Sequence, residues 1–174
     1  MTDYVFLALL FVHVGAVVVW FGSVVFVNMV LGPMSSRLSP QGQADLGMIV
    51  VPRATRFLMM MGGVALLAGA ILYGYITEVN KAYAPSSSGL PWIQASAAVA
   101  LIGFIVGILM IGPASRKLKA VIGEAKEKGT SPAELFSKPT GEIARLQRRL
   151  LISGLASIVL LTLVLLFMIV GANL

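Results

Sequence analysis

Apolar and polar residues fall along this chain in long blocks. Four apolar stretches, at about 4–31, 57–76, 92–111 and 150–170, are separated by polar segments that hold nearly all the charge. Each is long enough to cross about 30 Å of hydrocarbon as a helix rising about 1.5 Å per residue. The pattern predicts an all-α fold, a transmembrane four-helix bundle. The first stretch lacks a basic start, is too long for a secretory signal, and meets no small-residue cleavage pattern before Pro33. It reads as a retained helix.

The punctuation between the blocks repeats. VLGPMSSRL at 30–38 aligns without a gap to MIGPASRKL at 110–118, and RFLMMMG at 56–62 matches RRLLISG at 148–154. The chain therefore reads as one membrane domain, 1–174, of two tandem helical hairpins, with repeat halves 1–80 and 90–174. Both halves run in the same direction, as a parallel repeat about an axis along the membrane normal. Proline cannot donate the amide that continues a helix, and a preceding glycine relaxes the turn, so the Gly-Pro pairs are expected to end spans one and three. The polar segments 33–56 and 114–149 then become loops. Short surface helices are expected at 117–128 and 132–136, the second with Ser131 as cap and Pro132 at its first helical position.

Composition agrees with bilayer as solvent: 58% of the 174 residues are apolar and 11% charged. The formal charge of +6 has no water-soluble basic surface to act from, so the expected partner is the lipid bilayer and not nucleic acid. Twelve of the thirteen Lys and Arg residues lie in the two long polar segments: Arg37, Arg53 and Arg56 in the first, and nine from Arg116 to Arg149, Lys138 included, in the second. The positive-inside rule places both segments in the cytoplasm, making this a multi-pass cell-membrane protein with both termini outside. Lys81, in KAYAPSSSGLPW, then lies outside, with Tyr4, Tyr83 and Trp92 at the outer interface. The absence of cysteine excludes disulfides, thiolate metal sites and cysteine nucleophiles.

Candidate chemistry centres on His13, the only histidine, within the first apolar stretch. An ionisable side chain at membrane depth is costly, which makes it a functional hypothesis by default. Nine residues beyond Tyr4, it lies about 13 Å into the bilayer, level with 67–69, 101–103 and 160–162 on the other spans. Trp20 shares its face, seven residues on. A neutral imidazole there serves either as a ligand to haem iron or copper, or as a bundle residue bonded to a neighbouring helix. Small residues on spans two and three, Gly69 among them, pack helices closely or make room for a flat macrocycle, and GFIVG at 103–107 is a small-xxx-small packing motif. Arg56 and Arg148 occupy equivalent places in the repeat and read as interfacial anchors, with Arg56 alternatively the holder of a haem propionate or lipid phosphate. Nine methionines raise a Cu(I) reading, but Met59, Met60, Met61 and Met110 fall toward the cytoplasmic boundary, with Met29 and Met34 at or beyond it, while His13 is near mid-depth. No P-loop, HExxH or GxSxG is present, and no catalytic set is assigned.

LFVHVGAVVVWFGSVVFVNMVLGP, followed by a loop leading to PRATRF, resembles the CopD-like group of membrane proteins. That group is similar in style to the HemJ-type protoporphyrinogen oxidases. His13, Trp20, Gly22, Phe26, Pro33 and Arg56 carry the resemblance, which covers about the first 75 residues. It implies a four-helix membrane bundle with His13 as a haem b or metal ligand. Ile93 stands where the repeat would put a second histidine, so a bis-histidine haem within one chain is excluded. The leading expectation is a b-type haem membrane protein in electron transfer or haem-linked redox chemistry, with His13 as ligand and Trp20, Gly69 and Arg56 around the cofactor, as a homo-oligomer or a subunit of a larger respiratory complex. The alternatives are a copper-handling protein of CopD type and a non-catalytic accessory or assembly subunit.

Overall fold

The computed structural model describes residues 3–137 and 141–174, so Lys138 lies outside the described residues. Among them are four helices long and apolar enough to cross a membrane: α1 (Tyr4–Ser35), α2 (Pro40–Val79), α3 (Leu90–Glu127) and α5 (Gly141–Asn173). A short helix, α4 (Pro132–Ser137), opens on the expected proline. The fold is all-α, as the block pattern predicts.

The expectation that the Gly-Pro pairs end their helices is corrected. Gly32 and Gly112 keep helical backbone angles, and helix continues through Pro33 to Ser35 and through Pro113 to Glu127. The preceding turn is widened in each case. Gly32 N–H donates to the Val27 carbonyl and Gly112 N–H to that of Gly107, five residues back instead of four. Val51, just before Pro52, does the same to Leu46. A proline ring presses on the carbonyl four residues earlier and leaves it without its amide donor; a π-turn moves that carbonyl aside, so the helix bends and does not stop. At Pro113 the unserved carbonyl is that of Leu109, and it accepts from Arg149 Nη2 at 3.4 Å. The expected loops 33–56 and 114–149 are consequently mostly helical. With 40 and 38 residues, α2 and α3 reach about 60 Å at 1.5 Å per residue and extend well past the hydrocarbon.

The chain forms two compact units, each containing a segment of all four long helices. The first comprises Met1–Gly22, Met60–Ile105 and Ile158–Leu174. Large apolar side chains point outward along its helices: Phe11, Leu67 and Val159 are each at least 60% exposed. In water such a surface would drive aggregation; in lipid it is the ordinary outer face of a bundle. Among the inward positions are small and hydrogen-bonded residues beside larger ones such as Trp20, Leu72 and Leu161. Ser96, fully buried on α3, donates to the Val164 carbonyl of α5 at 3.1 Å. Gly103 packs on Leu160, and Gly89 and Gly171 meet backbone to backbone. Small residues let helices approach where no hydrophobic effect drives them together.

The second unit comprises Ser23–Met59 and Val106–Ser157. It has a core of the kind built in water. Ala44 on α2, Ala114, Leu118 and Ile122 on α3, Phe136 on α4, and Ile143 and Leu146 on α5 form one buried cluster. Buried positions 114, 118, 122 and 125 recur every three or four residues, and the remaining face carries Arg116, Lys117, Lys119 and Lys126. This is the amphipathic stripe expected for 117–128, begun earlier because Pro113 is absorbed. Lys117 Nζ pairs with Glu142 Oε1 at 2.9 Å on the surface, joining α3 to α5. The most completely buried large side chains of the described chain, Ile122 and Ile143, belong to this core. Apolar burial is strongly favourable only where the alternative is water.

Candidate functional site around His13

His13 is held in the first unit by the geometry of two helices. Its position on α1 shares a buried face with Ala16, Trp20 and Val24. Facing it on α2 are Gly62, Ala65 and Gly69, one wall of small residues at helical spacing. His13 Nδ1 lies 2.9 Å from the Ala65 carbonyl oxygen. A carbonyl only accepts, so Nδ1 carries the proton and the lone pair resides on Nε2. The ring lies flat against Gly69: a Cβ built there would stand 2.7 Å from Cε1 and 2.9 Å from Nδ1, but 3.6 Å from Nε2. Glycine at 69 is therefore required for the bond to Ala65, and the crowded edge of the imidazole is the Nδ1 edge.

Sequence depth counting places 67–69 opposite His13, and Gly69 is indeed the residue beneath the ring. Of the two roles expected of the small residues, Gly69 and Gly62 show close packing. Gly69 is filled by the imidazole itself, and Gly62 by Trp20, whose Cε2 would lie 2.8 Å from an added Cβ. Trp20 also meets Phe104 of α3 edge-on, with ring centroids 6.2 Å apart. These two gaps are occupied by the chain's own rings. Arg56 is exposed and belongs to the second unit.

The donor set tests which metal chemistry fits. Among the described residues no group of three His, Cys, Asp or Glu side chains could hold a metal ion. The thioethers are no substitute: Met59 packs on Gly107 in the second unit, while Met29, Met34 and Met60 are exposed on their helices. A bare copper or zinc ion needs several protein ligands. A haem iron takes four donors from its macrocycle and needs only one from the protein, so a lone imidazole fits an axial haem ligand.

One constellation escaped the sequence reading. Asp3 accepts from Tyr75 Oη at 2.8 Å, from Asn80 Nδ2 at 2.6 Å, and from the backbone amides of Val5 and Phe6. It thereby caps α1 and ties it to the end of α2. An Asp immediately before an apolar run is the N-cap signature that would have found the cap; the tie to Tyr75 and Asn80 has no sequence signal. Beside it Phe6 stacks on Tyr83 at 4.0 Å. The hydrogen bond from Phe6 N–H, with those from Tyr75 and Asn80, holds the Asp3 carboxyl below its usual value of 3.8. A depressed carboxyl stabilises the fold fully above its ordinary pKa and loses that contribution as pH falls through the folded value. Asp3→Asn is thus expected to lower the melting temperature at pH 7, with the gap to the parent protein closing as pH falls below the ordinary carboxyl value and through the lower folded one; a pH-independent gap would place the effect in packing.

No protein-family model, no curated protein and no solved structure matches this chain.

Proposed function

We propose that the chain is a membrane-embedded b-type haem protein in which His13 Nε2 is the axial ligand. The observation that carries this reading is the state of the imidazole: Nδ1–H is fixed on a backbone carbonyl, and Nε2 has no hydrogen-bond partner among the described residues. Metal-ligating histidines characteristically donate the other ring N–H to a carbonyl or carboxylate, which sets the tautomer and the orientation. A bond between helices alone does not require an imidazole; Ser96 makes one with a hydroxyl. The resemblance of the first span to the CopD-like group supports the same assignment.

Haem, when bound, supplies one-electron redox chemistry. The chain's residues hold and orient the ligand: Ala65 fixes the proton on Nδ1, Gly69 lets the ring reach Ala65, and Trp20 packs the same face of α1 about two turns away. The deciding experiment is an absorption spectrum and iron assay of protein purified from membranes under haem-retaining conditions. A Soret band with stoichiometric iron is expected, and its absence overturns the reading.

The concentration of cations in the second unit supports an orientation with that unit's polar ends in the cytoplasm and both termini outside. The chain lacks cysteine, so introduced ones report cleanly. Ser87→Cys is expected to react with an impermeant thiol reagent on intact cells and Gly129→Cys only after lysis. Reversed labelling would invert the topology.

A further inference from the structure

The second unit contains a cavity of about 480 Å³ that the haem proposal does not use. Its size is that of a small-molecule site. Its shape traces to the proline-associated π-turns: Val27, Asn28, Leu31, Leu46, Gly47 and Ile111, all within those widened turns, line it. Its body is apolar, with Leu58, Leu118, Phe136 and Leu150 on the wall. The polar residues on its lining are Arg148, Asn28, Gln43, Gln147, Ser35, Ser36 and Thr55, of which Asn28, Gln43, Ser35 and Ser36 already donate to backbone carbonyls. No carboxylate lines it. Arg148 itself has neither an ion pair nor a hydrogen bond to any described residue, whereas Lys117 and Arg149 both have partners.

We propose that this cavity binds one anionic phospholipid, with its phosphate on Arg148 and the first part of its acyl chains along the aliphatic wall. Charge complementarity selects the occupant. An unpartnered guanidinium offers a planar fork of donors matched to phosphate, the neutral Gln147 amide and Thr55 hydroxyl can add donors without repelling it, and no acid competes. The apolar wall distinguishes a lipid from a free anion, since inorganic phosphate gains nothing from Leu58 or Phe136. The cavity is open on one side, which lets acyl chains longer than it can hold run out into the bilayer.

The test is a native mass-spectrometry titration of the full-length, delipidated protein with phosphatidylglycerol and phosphatidylcholine of identical chains, with inorganic phosphate as competitor. Phosphatidylglycerol is expected to bind about tenfold more tightly, and Arg148→Gln to remove about that factor, the worth of a charged hydrogen bond. Arg145→Gln, one turn earlier on α5 and outside the cavity lining, is expected to stay within about twofold. Ala54→Leu, which fills the apolar body without touching charge, is expected to weaken both lipids. Equal binding of the two lipids, equal losses in Arg148→Gln and Arg145→Gln, indifference to Ala54→Leu, or displacement of lipid by inorganic phosphate would each overturn the proposal.

Discussion

His13→Ala is expected to abolish the Soret band of the purified protein, while leaving it folded in detergent. The substitution removes the only imidazole of the chain and its bond to Ala65. Loss of one buried hydrogen bond and of ring packing costs roughly 1–3 kcal/mol, which a four-span bundle tolerates, whereas loss of the axial ligand is all-or-none for the chromophore. Three companion variants separate ligation from packing. Ile93→Ala removes an apolar side chain that packs on Gly171 and has no metal donor, so it is expected to lower stability and leave the spectrum unchanged. His13→Met keeps an axial donor and is expected to retain some haem at a shifted potential. Gly69→Ala leaves the imidazole in place but forces it off Ala65, so a reduced haem content with an altered spectrum is expected. A haem spectrum identical in His13→Ala and the parent protein would defeat the assignment.

Gly89→Ala is expected to be the most destabilising single-methyl change in the first unit. A Cβ at 89 would run into the carbonyl oxygen of Gly171, and the Gly171 side of the contact is hemmed by Ile93 and Trp92. Both obstacles are anchored, one by backbone and one by rings packed on Phe167, so the start of α3 and the end of α5 must separate. Overpacking of this kind costs about 1–3 kcal/mol, which for a chain of this size lowers the melting temperature by roughly 2–12 °C. Gly15→Ala is the matched control. Nothing lies within 4 Å of a Cβ there, so removing a glycine from a helix interior is expected to be neutral or to stabilise by about 0.5–1 kcal/mol. If thermal unfolding followed by circular dichroism ranked the two variants the other way, the close approach of residues 89 and 171 would be wrong.

The four membrane helices, the basic polar segments and the short helix at Pro132 were legible from the chain alone. Apolar length and charge placement are properties of sequence, and the bilayer reads them directly. The Gly-Pro pairs misled, because proline's local rule states what it cannot donate and not how a neighbouring turn compensates; a π-turn one residue earlier keeps α1 and α3 going. His13 and Gly69 were singled out from residue type and depth, yet which nitrogen is engaged depends on where the Ala65 carbonyl sits. Asp3 was passed over because two of its partners, Tyr75 and Asn80, are more than seventy residues away. The small residues of span two read as close packing or as space, and only tertiary structure shows that Trp20 packs on Gly62 and His13 on Gly69. Sequence by itself determined where this chain meets lipid, since that depends on runs of like residues. Tertiary structure alone decided which groups face one another, because a contact between helices depends on rotation and register, to which a uniformly apolar surface gives no marker.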